Sequence, residues 1–352
     1  LMTPIRDLTF KDAKDNDLKR ENANIDADTA MGTMLKYGSE SAKQFYEMCV
    51  IDPRFAKAHR EGDIHIHDMD FYTLTTTCCQ IELRKLFKGG FSTGHGVLRE
   101  PNDISSYAAL ACIAIQSNQN DQHGGQSVCD FDYGLAVGVG KTYRRLFKKH
   151  VAEAVDLLTD IADDRSFAEN LLARVESETG TVASLEMDPE FRAAVVAGLV
   201  EGGVDAATAE RVVAYAEKNA SRDTDRQTFQ AMEALVHNLN TMHSRAGAQT
   251  PFSSVNYGMD TSPEGRMVIK NMLLATEEGL GSGETPIFPV QIFRVKEGVN
   301  YNPEDPNYDL FKLACRVSAK RMFPNFSFLD APFNLQYYKP GHPETEVGYM
   351  GC

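Results

Sequence analysis

The chain has 352 residues, 42% of them apolar and 24% charged, enough to bury an ordinary core and too apolar for wholesale disorder. Its formal charge of −14, from 36 Lys and Arg against 50 Asp and Glu, excludes broad electrostatic attraction to nucleic acid or anionic membranes, which needs basic surface. The longest apolar run, Ala108 to Ile115, is far short of the roughly 20 residues of a membrane span, and the charged start LMTPIRDLTFKDAKDND lacks the apolar stretch of a secretory signal; a soluble cytoplasmic protein is expected.

Three zones differ in texture. Residues 1–150 mix short β-like runs with glycine-rich loops, residues 151–226 read as an acidic helical lobe, and residues 227–352 return to mixed α/β texture. The lobe carries 17 Asp and Glu against 7 Lys and Arg, so most of the net charge belongs to it. Seven widely spread cysteines with no CxxC pair suit a reducing compartment and give no support to a structural zinc site.

In the first zone, His65 and His67 in EGDIHIHDMDFY would share one face of a strand, where they could hold a metal or hydrogen-bond a substrate or a neighbouring loop. The following FYTLTTTCCQIEL predicts a strand. Alternation sends Cys78 and Cys79 to opposite faces; the Cys79 face also carries Ile81 and Leu83 and is the drier, which makes Cys79 the choice for an interior position. Tyr107 to Ile115 is a buried helix running on from an Asn102/Asp103 cap, or a strand. The polar run Gln116 to Ser127 then reads as a loop, open to solvent or presenting donors and acceptors to a polar ligand, with Gly124 and Gly125 allowing close backbone approach. Gly138-Val139-Gly140-Lys141-Thr142 imitates the end of a phosphate-binding loop, but Leu135 stands where that motif needs glycine, so a helix start with a basic face is expected.

In the lobe, Ser166 and Glu169 have capping-box spacing, with Gly180 as the stop. Asp188-Pro189 opens a second helix that Gly202-Gly203 would end, and Asp205 caps a third. Further on, Met232, Leu235, Val236 and Leu239 form a helical stripe, and TPIFPVQIF and FPNFSFL read as strands. The pattern favours α/β architecture with much buried strand.

ENANIDADTAMGTM, EGDIHIHDMDFYTLTTTCCQ, GGFSTGHGVLREPNDISSYAAL, AIQSNQNDQHGGQS, HNLNTMHSRAGAQTPFSSVNYGMDTSPEGR, LGSGETPIFPVQIF, FPNFSFLDAPFN and EVGYMGC together resemble the large catalytic subunit of anaerobic (class III) ribonucleoside-triphosphate reductases, from about Pro4 to Cys352. The resemblance implies a ten-stranded α/β barrel of the ribonucleotide reductase and glycyl radical enzyme type with a finger loop through its centre, here incomplete and with a helical insertion. It implies reduction of ribonucleoside triphosphates to 2′-deoxyribonucleoside triphosphates by radical chemistry, with formate as reductant. By the YMGC motif, Cys352 would be the thiyl radical with Met350 beside it; by the TTTCC motif and the face argument, Cys79 would be the hydrogen donor. His65, His67, His123, Gly124 and Gly125 are the candidates for holding ribose and base.

The family also implies deoxynucleotide and ATP effectors, a homodimer, a glycyl radical made by an S-adenosylmethionine-dependent 4Fe-4S activase, and a structural zinc in a C-terminal region that does not match any part of this sequence. No cofactor or metal is expected on this chain itself. With no glycyl-radical motif present, the chain is expected to be inactive alone, a fragment or one half of a split enzyme completed by a C-terminal partner; an ATP-binding regulatory domain before the first motif is not expected. Two rival readings remain: a metal-dependent hydrolase using His65 and His67, and a non-catalytic nucleotide-binding fragment.

Overall fold

A computed structural model describes residues 6, 29–72, 75–159, 161, 164–244 and 249–351. Elements are numbered among these residues. Two helices, α1 (Ala30–Cys49) and α2 (Pro53–Glu61), lead through a 3-10 turn (Met69–Phe71) into β1 (Thr77–Ile81) and α3 (Leu83–Phe87). A short antiparallel hairpin, β2 (Phe91–Ser92) and β3 (Val97–Leu98), precedes α4 (Ile104–Asn118) and β4 (His123–Val128). Four helices follow: α5 (Phe131–Leu158), α6 (Asp164–Thr179), α7 (Pro189–Glu201) and α8 (Ala206–Thr241). The chain then alternates through β5 (Ser253–Tyr257), α9 (Pro263–Glu278), β6 (Val290–Val295), α10 (Tyr308–Arg321), β7 (Asn325–Phe328) and α11 (Pro332–Leu335).

The sheet β1-β4-β5-β6-β7 is parallel throughout and its strands follow chain order. By the right-handed crossover rule, parallel strands in sequential order carry their connecting helices on one face. This α/β arrangement is consistent with an arc of the expected barrel. The helix-facing core joins Ile81, Val128, Val255, Tyr257 and Phe293 from the strands to residues of α4, α5, α8, α9 and α10. A second apolar core, with Phe147, Leu172, Phe191 and Val213, fills the helical lobe. α5 and α8 run through both, so neither residue 150 nor residue 226 marks a break in the backbone.

Local signals explain most helix ends. Asp103 accepts from the Ser106 amide at 2.8 Å to start α4, which settles Tyr107 to Ile115 as helix. Asp188 before Pro189 and Asp205 before Ala206 cap α7 and α8 in the same way. Gly180, at φ +68°, follows the end of α6.

Four local expectations are corrected. Ser166 is no N-cap, because α6 already begins at Asp164. The Gly138 to Thr142 run lies in mid-helix, not at a helix start: a Cβ on Gly138 would sit 2.8 Å from the Tyr107 ring, so this glycine lets α5 pack tightly on α4, and the Thr142 hydroxyl accepts from the Ile104 amide. Gln116 to Ser127 is only briefly a loop, since α4 runs to Asn118 and β4 begins at His123. His65 and His67 stand on the loop after α2, not on a strand.

Candidate functional site

The face of the sheet turned away from the helices carries polar side chains at alternate positions: Gln80 on β1, Ser127 on β4, Ser254 and Asn256 on β5, and Arg294 on β6. Ser127, Ser254, Asn256 and Arg294 are buried and need partners, whereas Gln80, on the edge strand β1, is exposed. The segment 346–351 supplies them. Gln80 Nε2 donates to the Gly348 carbonyl at 3.1 Å, and Ser127 Oγ to the Tyr349 carbonyl at 2.9 Å. Asn256 clamps the Tyr349 residue from both sides: its Nδ2 donates to that carbonyl at 2.9 Å, and its Oδ1 accepts from the amide at 2.8 Å. The Gly351 amide donates to Ser254 Oγ at 3.2 Å.

Register fixes the height of these contacts. Gln80 pairs with Ser127, Ser127 with Ser254, and Ser254 with Val290, so the rung that receives Gly351 is also the rung of Gln80. Two strand spacings, about 10 Å, separate Gln80 from Ser254 on it. A Cβ on Gly351 would lie 2.6 Å from the Val290 Cβ and 3.0 Å from the Ser254 Cβ, so only glycine comes this close to the sheet. Met350 is half-buried. Cys352 lies outside the described residues, as does Leu74 of the anticipated strand.

The segment is anchored above, at the carboxyl end of the sheet, by a buried charge cluster. Arg294 Nη1 lies 3.2 Å from Glu346 Oε2, and its Nη2 lies 3.6 Å from Asp132 Oδ1. Tyr133 donates its hydroxyl to Glu346 Oε1 at 2.8 Å. Asp132 is held in turn by the amides of Gly258, Met259 and Asp260, at 2.8, 2.9 and 3.1 Å. Burial pushes the Glu346 carboxyl up to about 7, with Arg294 opposing and Asp132 reinforcing the rise. A carboxyl whose value is raised from 4.5 stabilises the fold fully below about pH 4.5 and loses that contribution as pH climbs through about 7. We expect Glu346→Gln to remove a decline on the order of 2 kcal/mol over this window, read from urea unfolding at pH 5, 6, 7 and 8.

At the amino end of β1 and β4 a second group assembles. Thr77 pairs with His123 and Cys79 with Gln126, so two β4 residues, Gly124 and Gly125, oppose Cys78 alone. Cys78 takes φ +54°, and the space of a Gly124 side chain is filled by Cys78 Sγ, 2.6 Å from where its Cβ would be. The close approach that Gly124 permits is therefore to this thiol. His123 stacks on Phe71 with centroids 4.1 Å apart, its Nε2 is 3.8 Å from Asp68 Oδ2, and its buried Nδ1 has no hydrogen-bond partner among the described residues. His67 reaches the same aspartate at 3.6 Å and lies beside His65, their rings 5.7 Å apart; both are exposed. His67, His123, Gly124 and Cys78 thus gather at one end of the sheet. Among the described residues no group of three or more His, Cys, Asp or Glu is placed to hold a metal ion.

Cys79 is half-buried and packs against the helix-side core with Ile81. The drier face of β1 is the one turned to the helices, whereas Gln80 meets segment 346–351; Cys78, in the bulge, is exposed with its Sγ against Gly124. The sequence reading missed Gln80, Ser127, Ser254, Asn256, Arg294 and Glu346. A usable signal existed in SSVNY, where polar residues alternate through a strand that is buried at every position.

A family model described as anaerobic ribonucleoside-triphosphate reductase matches residues 21–352. A curated protein of that name from Enterobacteria phage T4 is 27% identical over 346 residues, 96% of this chain and 45% of the relative. Another, from Escherichia coli K12, is 26% identical over 311 residues, 88% of this chain and 35% of the relative. The chain thus spans less than half the length of these relatives. The crystal structure of the anaerobic ribonucleotide reductase from Thermotoga maritima in complex with dATP and CTP has a TM-score of 0.50 at 12% identity, covering 86% of this chain and 43% of that one, a likeness of fold.

Proposed function

The chain belongs to the anaerobic ribonucleoside-triphosphate reductase family, a family of oxidoreductases, and on that premise we propose that it takes part in reducing ribonucleoside triphosphates to 2′-deoxyribonucleoside triphosphates. Cys352 serves as the thiyl radical. Its sulfur forms an S–H bond with the hydrogen of the ribose C3′, leaving a carbon-centred radical on the sugar. The 2′-hydroxyl then leaves with a proton as water, a thiol of β1 donates a hydrogen atom, formate supplies two electrons as it is oxidised to carbon dioxide, and Cys352 returns its hydrogen to C3′. The glycyl radical that generates the thiyl, its activase, the homodimer and the cytoplasmic setting belong to the same reading.

The observation that carries it is the seating of segment 346–351. The residues leading to Cys352 are hydrogen-bonded onto the face of the sheet opposite the helices, with Gly351 on the rung of Gln80, next to the paired cysteines. His67 and His123, with Asp68 between them, offer donors to a ribose or base. The Thermotoga maritima structure of like fold holds dATP and CTP, which fits nucleotides as ligands in this reading.

The donor on β1 has two candidates. The TTTCC motif covers both; dryness favours Cys79, whereas the packing of Cys79 with Ile81 against the helix-side core leaves the exposed Cys78 as the other candidate. In an activated reductase carrying this sequence, Cys352→Ser is expected to lower deoxynucleotide formation by at least about 10⁴-fold, the scale for losing a nucleophile or radical centre. Cys78→Ser and Cys79→Ser, made singly, identify the donor by which abolishes turnover. Full activity in Cys352→Ser, or in both β1 variants, would remove the proposal. The hydrolase reading is not favoured by the family match.

A further inference from the structure

We propose that Arg294 is a positioning residue: its buried guanidinium lets an acidic residue of the C-terminal segment, Glu346, lie on the inner face of the sheet, and so sets where Tyr349 and Gly351 come down on β4 and β5. Arg294 is 1% exposed and the Glu346 side chain 4%. A carboxyl group taken that far from water needs a partner, and removing one member of a buried pair leaves the other uncompensated. Arg294 is itself tied to a fixed post, since Asp132, with no exposed surface, is gripped by three consecutive amides after β5. The remaining polar neighbours of Glu346 are Tyr133 on α5, which donates to Oε1, and the charge of Arg84 from α3. Among the described residues Arg294 is the one charge paired with Oε2, which has no hydrogen bond there.

Only Val347 and Gly348 separate Glu346 from Tyr349, so a carboxylate that lifts toward water pulls the Tyr349 amide off Asn256 Oδ1. The bearing of this on radical chemistry rests on the reductase reading. The seating itself does not, and the experiment reads seating alone, so the two can fail separately.

The test is residue-resolved amide exchange on the full chain, comparing the Tyr349 amide with the β5–β6 ladder amides as an internal reference. Arg294→Gln is expected to speed exchange at Tyr349 by about 100-fold, the scale of a broken buried pair, and to leave the ladder within about threefold. Adding Glu346→Gln, which needs no cation, is expected to restore protection at Tyr349. Arg294→Lys, which keeps the charge, should fall between. If Arg294→Gln alone does not fold, the Arg294→Gln/Glu346→Gln double variant must fold with Tyr349 protected. Unchanged exchange at Tyr349 in Arg294→Gln overturns the proposal. So does a loss spread equally over Tyr349 and the ladder, or a double variant that remains unprotected or unfolded.

Discussion

Replacing Asn256 with alanine is expected to free the end of the C-terminal segment. Asn256 is fully buried, and its amide group holds the Tyr349 amide and carbonyl together with the Ser127 hydroxyl and the Val128 carbonyl. Alanine deletes all four contacts, leaves the Tyr349 amide without its acceptor and leaves the Tyr349 carbonyl only the Ser127 hydroxyl. At about 1 kcal/mol for each hydrogen bond lost, seating should weaken by about 2–4 kcal/mol. Chymotrypsin cleavage after Tyr349 reports this directly and should accelerate by at least about 30-fold. Asn256→Asp retains the acceptor for the Tyr349 amide but loses both donors, so it should also cleave faster than the parent. Parent-like cleavage of both variants would mean that the segment is held elsewhere. In the activated reductase the alanine variant should lose turnover along with seating.

The second large effect is expected at Asp132. One carboxylate ties together the start of α5, the turn after β5 and Arg294, accepting from the Gly258, Met259 and Asp260 amides through Oδ2 and from the Tyr133 amide through Oδ1 at 3.1 Å. Asp132→Ala orphans three buried amides and leaves a buried guanidinium short of one partner, a loss of about 3–5 kcal/mol. Asp132→Asn keeps acceptor capacity for the amides and weakens only the ionic part, so about half of that is expected. Urea unfolding at pH 7 measures both. A drop under about 1 kcal/mol for the alanine variant would show that this carboxylate does not organise the turn.

What the sequence made legible is what short-range physics decides. Asp103, Asp188 and Asp205 cap their helices because a side chain and an amide two or three residues on settle the matter between themselves. TPIFPVQIF overlaps β6, which runs on to Val295, and FPNFSFL contains β7, because their cores are apolar and β-branched or aromatic. The family motifs carried the rest of the fold. His65-x-His67 imitates strand alternation, yet Gly62, in the left-handed conformation, ends α2 and sends the chain into a loop that stacks these rings loosely. The face of β1 was read by dryness, but the drier face is the one packed against the helices, and Cys78 and Gln80 are exposed. Asn256 and Ser127 were invisible for a different reason: their partner is the backbone of Tyr349, 93 and 222 residues away, and no local pattern announces it. The Arg294–Glu346 pair is hidden in the same way, since nothing near either residue in sequence marks it for burial.

The two long helices that run through both apolar cores have a mechanical consequence. α8, with 36 residues, is about 54 Å of continuous rod, and α5 lies beside it, beginning at the very turn that Asp132 organises. A push on the far tip of the acidic lobe is therefore delivered, by stiff levers rather than by slack chain, to the top of β4 and β5, where the anchor of the C-terminal strip is held.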